Sequence, residues 1–390
     1  MNNLLYLDYN STTPVDARVV QAMLPFFTEQ FGNAASSNHR YGWQAQEAVT
    51  IAREQIGNLI GAVKEEIVFT SGATESINLA IRGVVEAYAS KGNHIITCAT
   101  EHRAVLDTCK SIEKKGIEVT VLPVNKQGFI DLDELTKSIK PTTILICIMF
   151  ANNETGVLQP IEKIGKIAKE KKVLFFCDAT QSVGKIHTNV IKDNIDLMAF
   201  SAHKLYGPKG CGALYIRRKN PRVSLKEQIT GGGHERNFRS GTLNVPGIVG
   251  FGKAAEFCML EMEVEASRLL LLRDKFEKVL LTKNLITING DVTNRLAHVS
   301  NLCFNMPNGA SLLASISKLM AVSSGSACSS SSTEPSHVLK AMSLTDEASK
   351  SSIRFSLGRF TTKAEMDWAG EQIINILTTL RNDTHINELL

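Results

Sequence analysis

A lysine stands where it could bond covalently to a carbonyl compound. Lys204 follows the apolar run LMAF in Ser201-Ala202-His203-Lys204 and precedes the turn Leu205-Tyr206-Gly207-Pro208-Lys209-Gly210. Asp178 lies 26 positions earlier, at the end of another apolar run, VLFFCD. Each has an ordinary reading: a lysine before a Gly/Pro turn is commonly just exposed, and an aspartate there commonly caps a turn. If the two runs are strands of one parallel sheet, both side chains stand at the same sheet edge. An amine and a carboxylate placed so are what a pyridoxal phosphate enzyme needs. The lysine forms a Schiff base with the cofactor, and the aspartate keeps the ring nitrogen protonated, which makes the ring an electron sink.

Two further strand ends point to the same edge. After EIVFT come Ser71-Gly72-Ala73-Thr74-Glu75 and a helical pattern. Small residues there leave backbone N–H groups free for a phosphate, although Ser and Thr at such positions also serve as plain caps. The stretch is neither a Walker A loop nor G-x-G-x-x-G. After HIITCA comes Thr100-Glu101-His102. The His102 ring could stack on a planar cofactor and exchange protons near neutral pH, or be structural. Another residue stands apart from these. Residues 323–332 read SSGSACSSSS, with Cys328 near the middle. The composition is that of a pliable linker, yet it holds a thiol, a side chain usually buried or chemically employed.

The elements that must position these residues alternate in type from about residue 50 to 220. Helical AQEAVTIAREQIGNLIGA leads to strand EIVFT, and helical SINLAIRGVVEAYASKG to strand HIITCA. Helix AVLDTCKSIEKKG then precedes strands EVTVLP and TTILICIMF, and helix PIEKIGKIAKEKK precedes strands VLFFCDA, LMAFSA and GALYIRR. Continuous β-branched runs between amphipathic helices predict an α/β fold with a mainly parallel sheet covered on both faces. Ligands bind such sheets beyond the carboxyl ends of the strands. After about residue 255 the texture changes to a long helical stretch, GKAAEFCMLEMEVEASRLLLLRDKFEKVLL, then strand-like AHVSNLCFNM, the serine-rich segment and a closing helix. These predict a large domain over 15–255. They also predict a smaller α+β domain from 1–14 and 256–390, carrying the cysteine loop at about 323–335.

Composition sets outer bounds. The chain has 390 residues, 43% hydrophobic and 21% charged, longer than one core usually supports. A net charge of +4 does not argue for nucleic acid or membrane partners. The clusters at Lys169, Lys171, Lys172 and at Arg217, Arg218, Lys219 read as solvated faces. The eight cysteines include no C-x-x-C pair and no zinc pattern, so no metal is expected. Several sit within apolar strands. MNNLLYLDYN lacks the regions of a secretory leader, which predicts a cytoplasmic protein with reduced thiols. No apolar run approaches the ~20 residues of a membrane span.

In SAHKLYGPKG, DATQSVGK, TSGATES and TEHRAV the chain resembles the cysteine desulfurases, of the class-V aminotransferase branch of fold-type I pyridoxal phosphate enzymes. The resemblance continues through LDYNSTTP, FGNAASSNHRYG, FANNETGVLQP, GGGHERNFRSGTLN, VSSGSACSSSSTEPSHVLKAM and SSIRFSLGRFTT. It implies a large domain on a mainly parallel seven-stranded sheet plus a smaller α+β domain. It implies that Lys204 carries pyridoxal 5'-phosphate, Asp178 pairs with the ring nitrogen, Gln181 bonds the ring oxygen and His102 stacks on the ring. Ala73, Thr74, Ser201 and His203 would hold the phosphate, with Thr242 reaching it from the neighbouring subunit of a homodimer. Asn153 would contact both cofactor and substrate, and Arg354 the substrate, as a bidentate fork on its carboxylate.

The reaction so implied removes sulfur from L-cysteine, giving L-alanine and a persulfide on Cys328. Lys204 or His102 moves the α proton, and the Cys328 thiolate attacks the substrate sulfur. The sulfur then passes to an acceptor, such as an iron–sulfur scaffold protein, or to thiolated tRNA or cofactor synthesis. A pliable arm would let Cys328 serve both sites. The chain departs from the family pattern at Ala34–Ala35, Phe150 and His234, and its tail LRNDTHINELL is shorter than a scaffold-docking one. Two other readings use the same residues. An aminotransferase or selenocysteine lyase differs only at Cys328 and its loop. A non-enzymatic nucleotide- or sulfur-binding module would need the edge but not the covalent cofactor.

Overall fold

The computed structural model describes residues 4–283, 285–305, 309–324 and 334–387. Cys328 lies outside the described residues. The strands, in chain order, are β1 (Leu5–Tyr6), β2 (Ile67–Thr70), β3 (His94–Cys98), β4 (Glu118–Leu122), β5 (Thr143–Cys147), β6 (Leu174–Asp178), β7 (Leu197–Ser201), β8 (Gly212–Ile216), β9 (Ile286–Ile288), β10 (Val299–Phe304), β11 (Met320–Ala321) and β12 (Ser352–Ser356).

The central sheet has seven strands in the order β2-β8-β7-β6-β5-β3-β4. β8 runs antiparallel to both of its neighbours, and the remaining pairings are parallel. The expected mainly parallel seven-stranded sheet is therefore present, with β8 as its antiparallel member. The inner strands read as unbroken apolar runs because helices cover both faces. Alternate residues divide between the two faces. Phe175, Met198 and Phe200 join the core under the Arg40–Ile60 and Ile161–Lys171 helices. Leu174, Phe176, Leu197 and Ala199 join the core under the Ala73–Ala87 and Arg103–Glu113 helices. Edge strand β4 has only Leu122 fully buried. The seven described cysteines are free and buried, as the apolar runs around several of them suggest.

A second, smaller sheet is antiparallel, in the order β12-β10-β9. Beside it β1 pairs in parallel with β11, so the N-terminal residues Leu5 and Leu7 share a core with Phe276, Leu302, Phe304 and Phe355. One 37-residue helix, Val245–Leu281, joins the two cores. Its first half packs Ile248, Phe251 and Cys258 against the large sheet, and its second half packs Leu269, Phe276 and Leu280 against the small one. The helix starts ahead of the stretch that sequence texture suggests, with Asn244 capping and Pro246 in its first turn. Position 255 lies inside it. Among the described residues no helix is long and apolar enough to cross a membrane.

Candidate active site

A cavity of about 560 Å³ opens at the carboxyl ends of β2, β3, β5, β6 and β7. Lining it are Ala73, Thr74, His102, Asn153, Asp178, Gln181, Ser201, His203, Lys204 and Arg354. Ten of the twelve site residues expected from sequence thus meet in one place. Thr242 does not: it is exposed and stands outside the cavity lining of this chain. Cys328 is the other exception, for the reason given above.

Each strand end delivers its residue by local rules. β7 runs into a single 3-10 turn, Ala202–Lys204, which turns Lys204 back over the edge. Its Nζ donates to the carbonyls of Asn10 at 2.5 Å and Ser11 at 2.7 Å. Gln181 Nε2 donates to the same Asn10 carbonyl at 3.0 Å. Asp178 closes β6 and is 4% exposed. Among the described residues its hydrogen bonds come from Thr180, from the backbone N–H at 3.0 Å and from Oγ1 at 2.5 Å. His102 caps the Arg103–Glu113 helix, with Nδ1 accepting from the Ala104 N–H at 3.1 Å. That bond places the neutral ring's proton on Nε2.

The helix after β2 starts differently. Its cap, Gly72, supplies no side-chain hydrogen bond, so the N–H groups of the first turn are not capped by it. Gly72 passes so close to Gly212 of β8 that a Cβ on Gly212 would lie 2.5 Å from the Gly72 Cα. Glycine there lets the turn sit against the sheet. Ser201 and His203 border the same end of the cavity. Burial, together with the charges of Lys204 and Lys209, pushes His203 down to about 4. The ring is therefore neutral at pH 7, with Nδ1 3.1 Å from Thr12 Oγ1.

The opposite wall comes from the small sheet. Arg354 sits mid-strand in β12 and is 1% exposed. Nη1 donates to the Asn153 carbonyl at 2.8 Å, and Nη2 donates to Asp8 Oδ1 at 2.6 Å and Ser11 Oγ at 2.9 Å. Its fork is thus already engaged within the chain. The chain flanking the segment of Cys328 is tied to this wall and to the loop after β5. Ser323 exchanges backbone hydrogen bonds with Arg354 at 2.7 and 3.2 Å. Ser336 Oγ donates to Glu154 Oε2 at 2.5 Å.

Several participants escape sequence reasoning. Asn10 joins five groups: its carbonyl takes Lys204 and Gln181, its Nδ2 donates to the Asn153 carbonyl, its N–H donates to Ser356 Oγ, and its Oδ1 meets His298 Nε2. Glu101 is fully buried, with Oε1 accepting from the Met149 N–H at 2.6 Å. Burial, opposed by that N–H and reinforced by nearby Asp178, pushes its carboxyl well above the ordinary range. Asp8 and Ser11 belong to this group as well. Their one sequence signal is the LDYNSTTP stretch, which carries no periodicity to show where it packs.

The donor set suits pyridoxal phosphate. An uncapped helix start, Ser201, a neutral His203 and Lys209 can take a phosphate, an amine stands at Lys204, and a carboxylate stands at Asp178. Buried Arg354 Nε has no partner among the described residues, which leaves a donor for an anionic substrate group.

A family model for class-V aminotransferases matches residues 5–368. The chain is 53% identical over 387 residues to a cysteine desulfurase IscS of Anaeromyxobacter sp. (strain Fw109-5), covering 99% of this chain and 95% of that protein. It is 53% identical over 380 residues to the cysteine desulfurase IscS of Mannheimia succiniciproducens, covering 97% and 94%. Among solved structures it is similar to a NifS-like protein, with TM-score 0.89 and 38% identity, covering 96% of this chain and all of that one. It is also similar to SspA in complex with cysteine, with TM-score 0.81 and 36% identity, covering 92% and 100%.

Proposed function

The chain belongs to the class-V aminotransferase family and is a pyridoxal phosphate-dependent cysteine desulfurase; from that premise we propose which of its residues carry the reaction. The observation that supports the assignment is the convergence of Lys204, Asp178, His102 and Arg354 on one cavity at the sheet edge. Lys204 holds the cofactor covalently through Nζ. Asp178 would keep the ring nitrogen protonated, His102 would stack on the ring and Gln181 would bond its oxygen. Ala73, Thr74, Ser201 and His203 hold the phosphate.

The bound cofactor supplies an electron sink for the pair left when the substrate's α C–H bond breaks. The residues do the rest. Arg354 would orient L-cysteine by its carboxylate, and Asn153 would contact both substrate and cofactor. The Lys204 amine would carry the α proton, with His102 as the alternative carrier. The Cys328 thiolate attacks the substrate sulfur, the carbon–sulfur bond breaks, and a persulfide remains on Cys328. In sum a thiol on substrate and a thiol on enzyme become L-alanine and an enzyme persulfide, with every atom retained.

The persulfide sulfur then passes to an acceptor, as in iron–sulfur cluster assembly or in making thiolated tRNA or cofactors, with an iron–sulfur scaffold protein as a candidate acceptor. The site is completed in a homodimer by Thr242 of the other copy. An exposed apolar patch supports that arrangement: Leu24, Phe27, Phe31, Tyr41 and Trp43 are each 49% exposed or more, and the Phe31 and Tyr41 rings pack 5.3 Å apart. Patches of this kind mark contact surfaces. Separate hydrophobic cores support a large unit of 15–255 and a small one of 1–14 with 256–390. We place the enzyme in the cytoplasm, where its buried thiols stay reduced.

The test adds L-cysteine to the purified yellow enzyme and measures alanine and persulfide. Cys328→Ala should keep the visible cofactor band and lose sulfur release, whereas Lys204→Ala should lose the band as well. Sustained sulfur release by Cys328→Ala would remove that thiol from the mechanism.

A further inference from the structure

A guanidinium has five N–H groups in a fixed plane, and the surroundings of Arg354 show how they are used. Nη2 donates to Asp8 Oδ1 and Ser11 Oγ, at 2.6 and 2.9 Å. Nη1 donates to the Asn153 carbonyl at 2.8 Å. Nε is buried without a partner among the described residues. An unmade hydrogen bond of this kind is costly and is tolerable where a ligand completes it. A carboxylate that grips with two parallel bonds must use Nη2 together with Nε or Nη1. Both Nη2 protons are already taken. A carboxylate ligand must therefore displace something, and the partner of its own chemical kind is Asp8.

We propose that Asp8 is a specificity-determining residue: it occupies Arg354 as an internal stand-in for the substrate carboxylate and yields Nη2 in exchange for another carboxylate. The proposal rests on the assignment of Arg354 to that carboxylate. The exchange keeps one anion on the buried cation before and after. Leaving either partner of such a pair alone is strongly destabilising. A thiol without a carboxylate has nothing to trade and gains no hold on Arg354. The Asp8 side chain is 17% exposed against 1% for Arg354, so the displaced carboxylate has water to meet. Its backbone stays in place. Asp8 bridges to Ser356, and the flanking bonds Tyr9 N–H to Ser356 O and Ser356 N–H to Leu7 O measure 3.2 and 2.8 Å. Only the side chain has to swing.

The test is calorimetric binding of L-alanine, which carries the carboxylate without the thiol, to the cofactor-loaded enzyme. L-alaninamide is the control without a carboxylate. Asp8→Asn keeps an oxygen for Nη2 but removes the competing charge, so L-alanine should bind about tenfold tighter and L-alaninamide as before. Arg354→Gln should weaken L-alanine by about tenfold or more, and Asp8→Asn should add nothing in that background. Unchanged or weaker L-alanine binding by Asp8→Asn overturns the role of Asp8 and leaves Arg354 its own. Native affinity in Arg354→Gln overturns the Arg354 assignment, and the Asp8 role falls with it. Should Asp8→Asn fail to fold, Asp8→Ser is read the same way: tighter binding supports the exchange, and native binding overturns it.

Discussion

Asp196 and Asp178 are both buried acids on the central sheet, but they stand at opposite ends of it. Asp196, at the amino end of β7, accepts the Phe175 N–H at 3.0 Å and pairs with Arg217 Nε at 3.0 Å. Arg217 in turn donates to the carbonyls of Ile195 and Val190. Both side chains of the pair are 10% exposed, so Arg217 is buried rather than on the solvated face expected of it, and together they stitch β6, β7 and β8. Among the described residues the side chain of Asp178, at the carboxyl end of β6, is hydrogen-bonded only within its own turn, through Thr180, and borders the cavity. Burial alone does not distinguish a structural carboxylate from a working one. What distinguishes them is whether the protein supplies the counter-charge itself or leaves that place for a ligand.

Neutralising the two acids should therefore separate activity from stability. The largest effect is expected at the open end. Asp178→Asn should lower kcat/KM for L-cysteine by about 10²–10³-fold, while urea denaturation of the cofactor-free protein stays near native. A matching loss of stability would break the comparison. At the closed end, Asp196→Asn strands a buried arginine and should cost about 3–5 kcal/mol of folding stability, read by urea denaturation. Activity per folded molecule should be unchanged, and a large fall in it would place Asp196 with the catalytic end instead.

The smallest effect sharpens the comparison through pH. His203 has an ordinary value of 6.5 in the unfolded chain and about 4 in the folded one. Between these values the unfolded chain holds a proton that the folded chain does not. The stability linked to this group is complete above pH 6.5 and is lost as pH falls towards 4. Thermal melting of cofactor-free His203→Gln should thus fall less steeply over that window than the native protein does. Superimposable profiles would show that His203 is not a source of the acid sensitivity.

The amino acid order made one side of the site legible and hid the other. β6 and β7 announce themselves as apolar runs, and the residue after each run must lie at the sheet edge. Lys204, Asp178, His102 and the Ala73–Thr74 turn could be placed together on that ground. Arg354 was legible as a residue of a motif but not in its surroundings. Its bond to Asp8 joins residues 346 positions apart. Similarly, Asn10 looks like any polar residue in LDYNSTTP until β1 pairs with β11 and carries it to Lys204. The long helix shows the same limit. Texture changes near 255, yet the chain continues as one helix because its two halves bury different faces in different cores.

By itself, then, the sequence determined the alternation of strands and helices, the chemistry of each strand end and the presence of a thiol in a serine-rich stretch. Those follow from hydrophobic periodicity and side-chain type, which act over a few neighbours. Only the tertiary structure decided that residues 8–11 lie across the cavity, that Arg354 is held by an internal carboxylate, and that Asp196 is closed while Asp178 is open. These depend on which distant segments pack together. That choice is made by the burial of whole sheet faces and by the pairing of charges once they are removed from water.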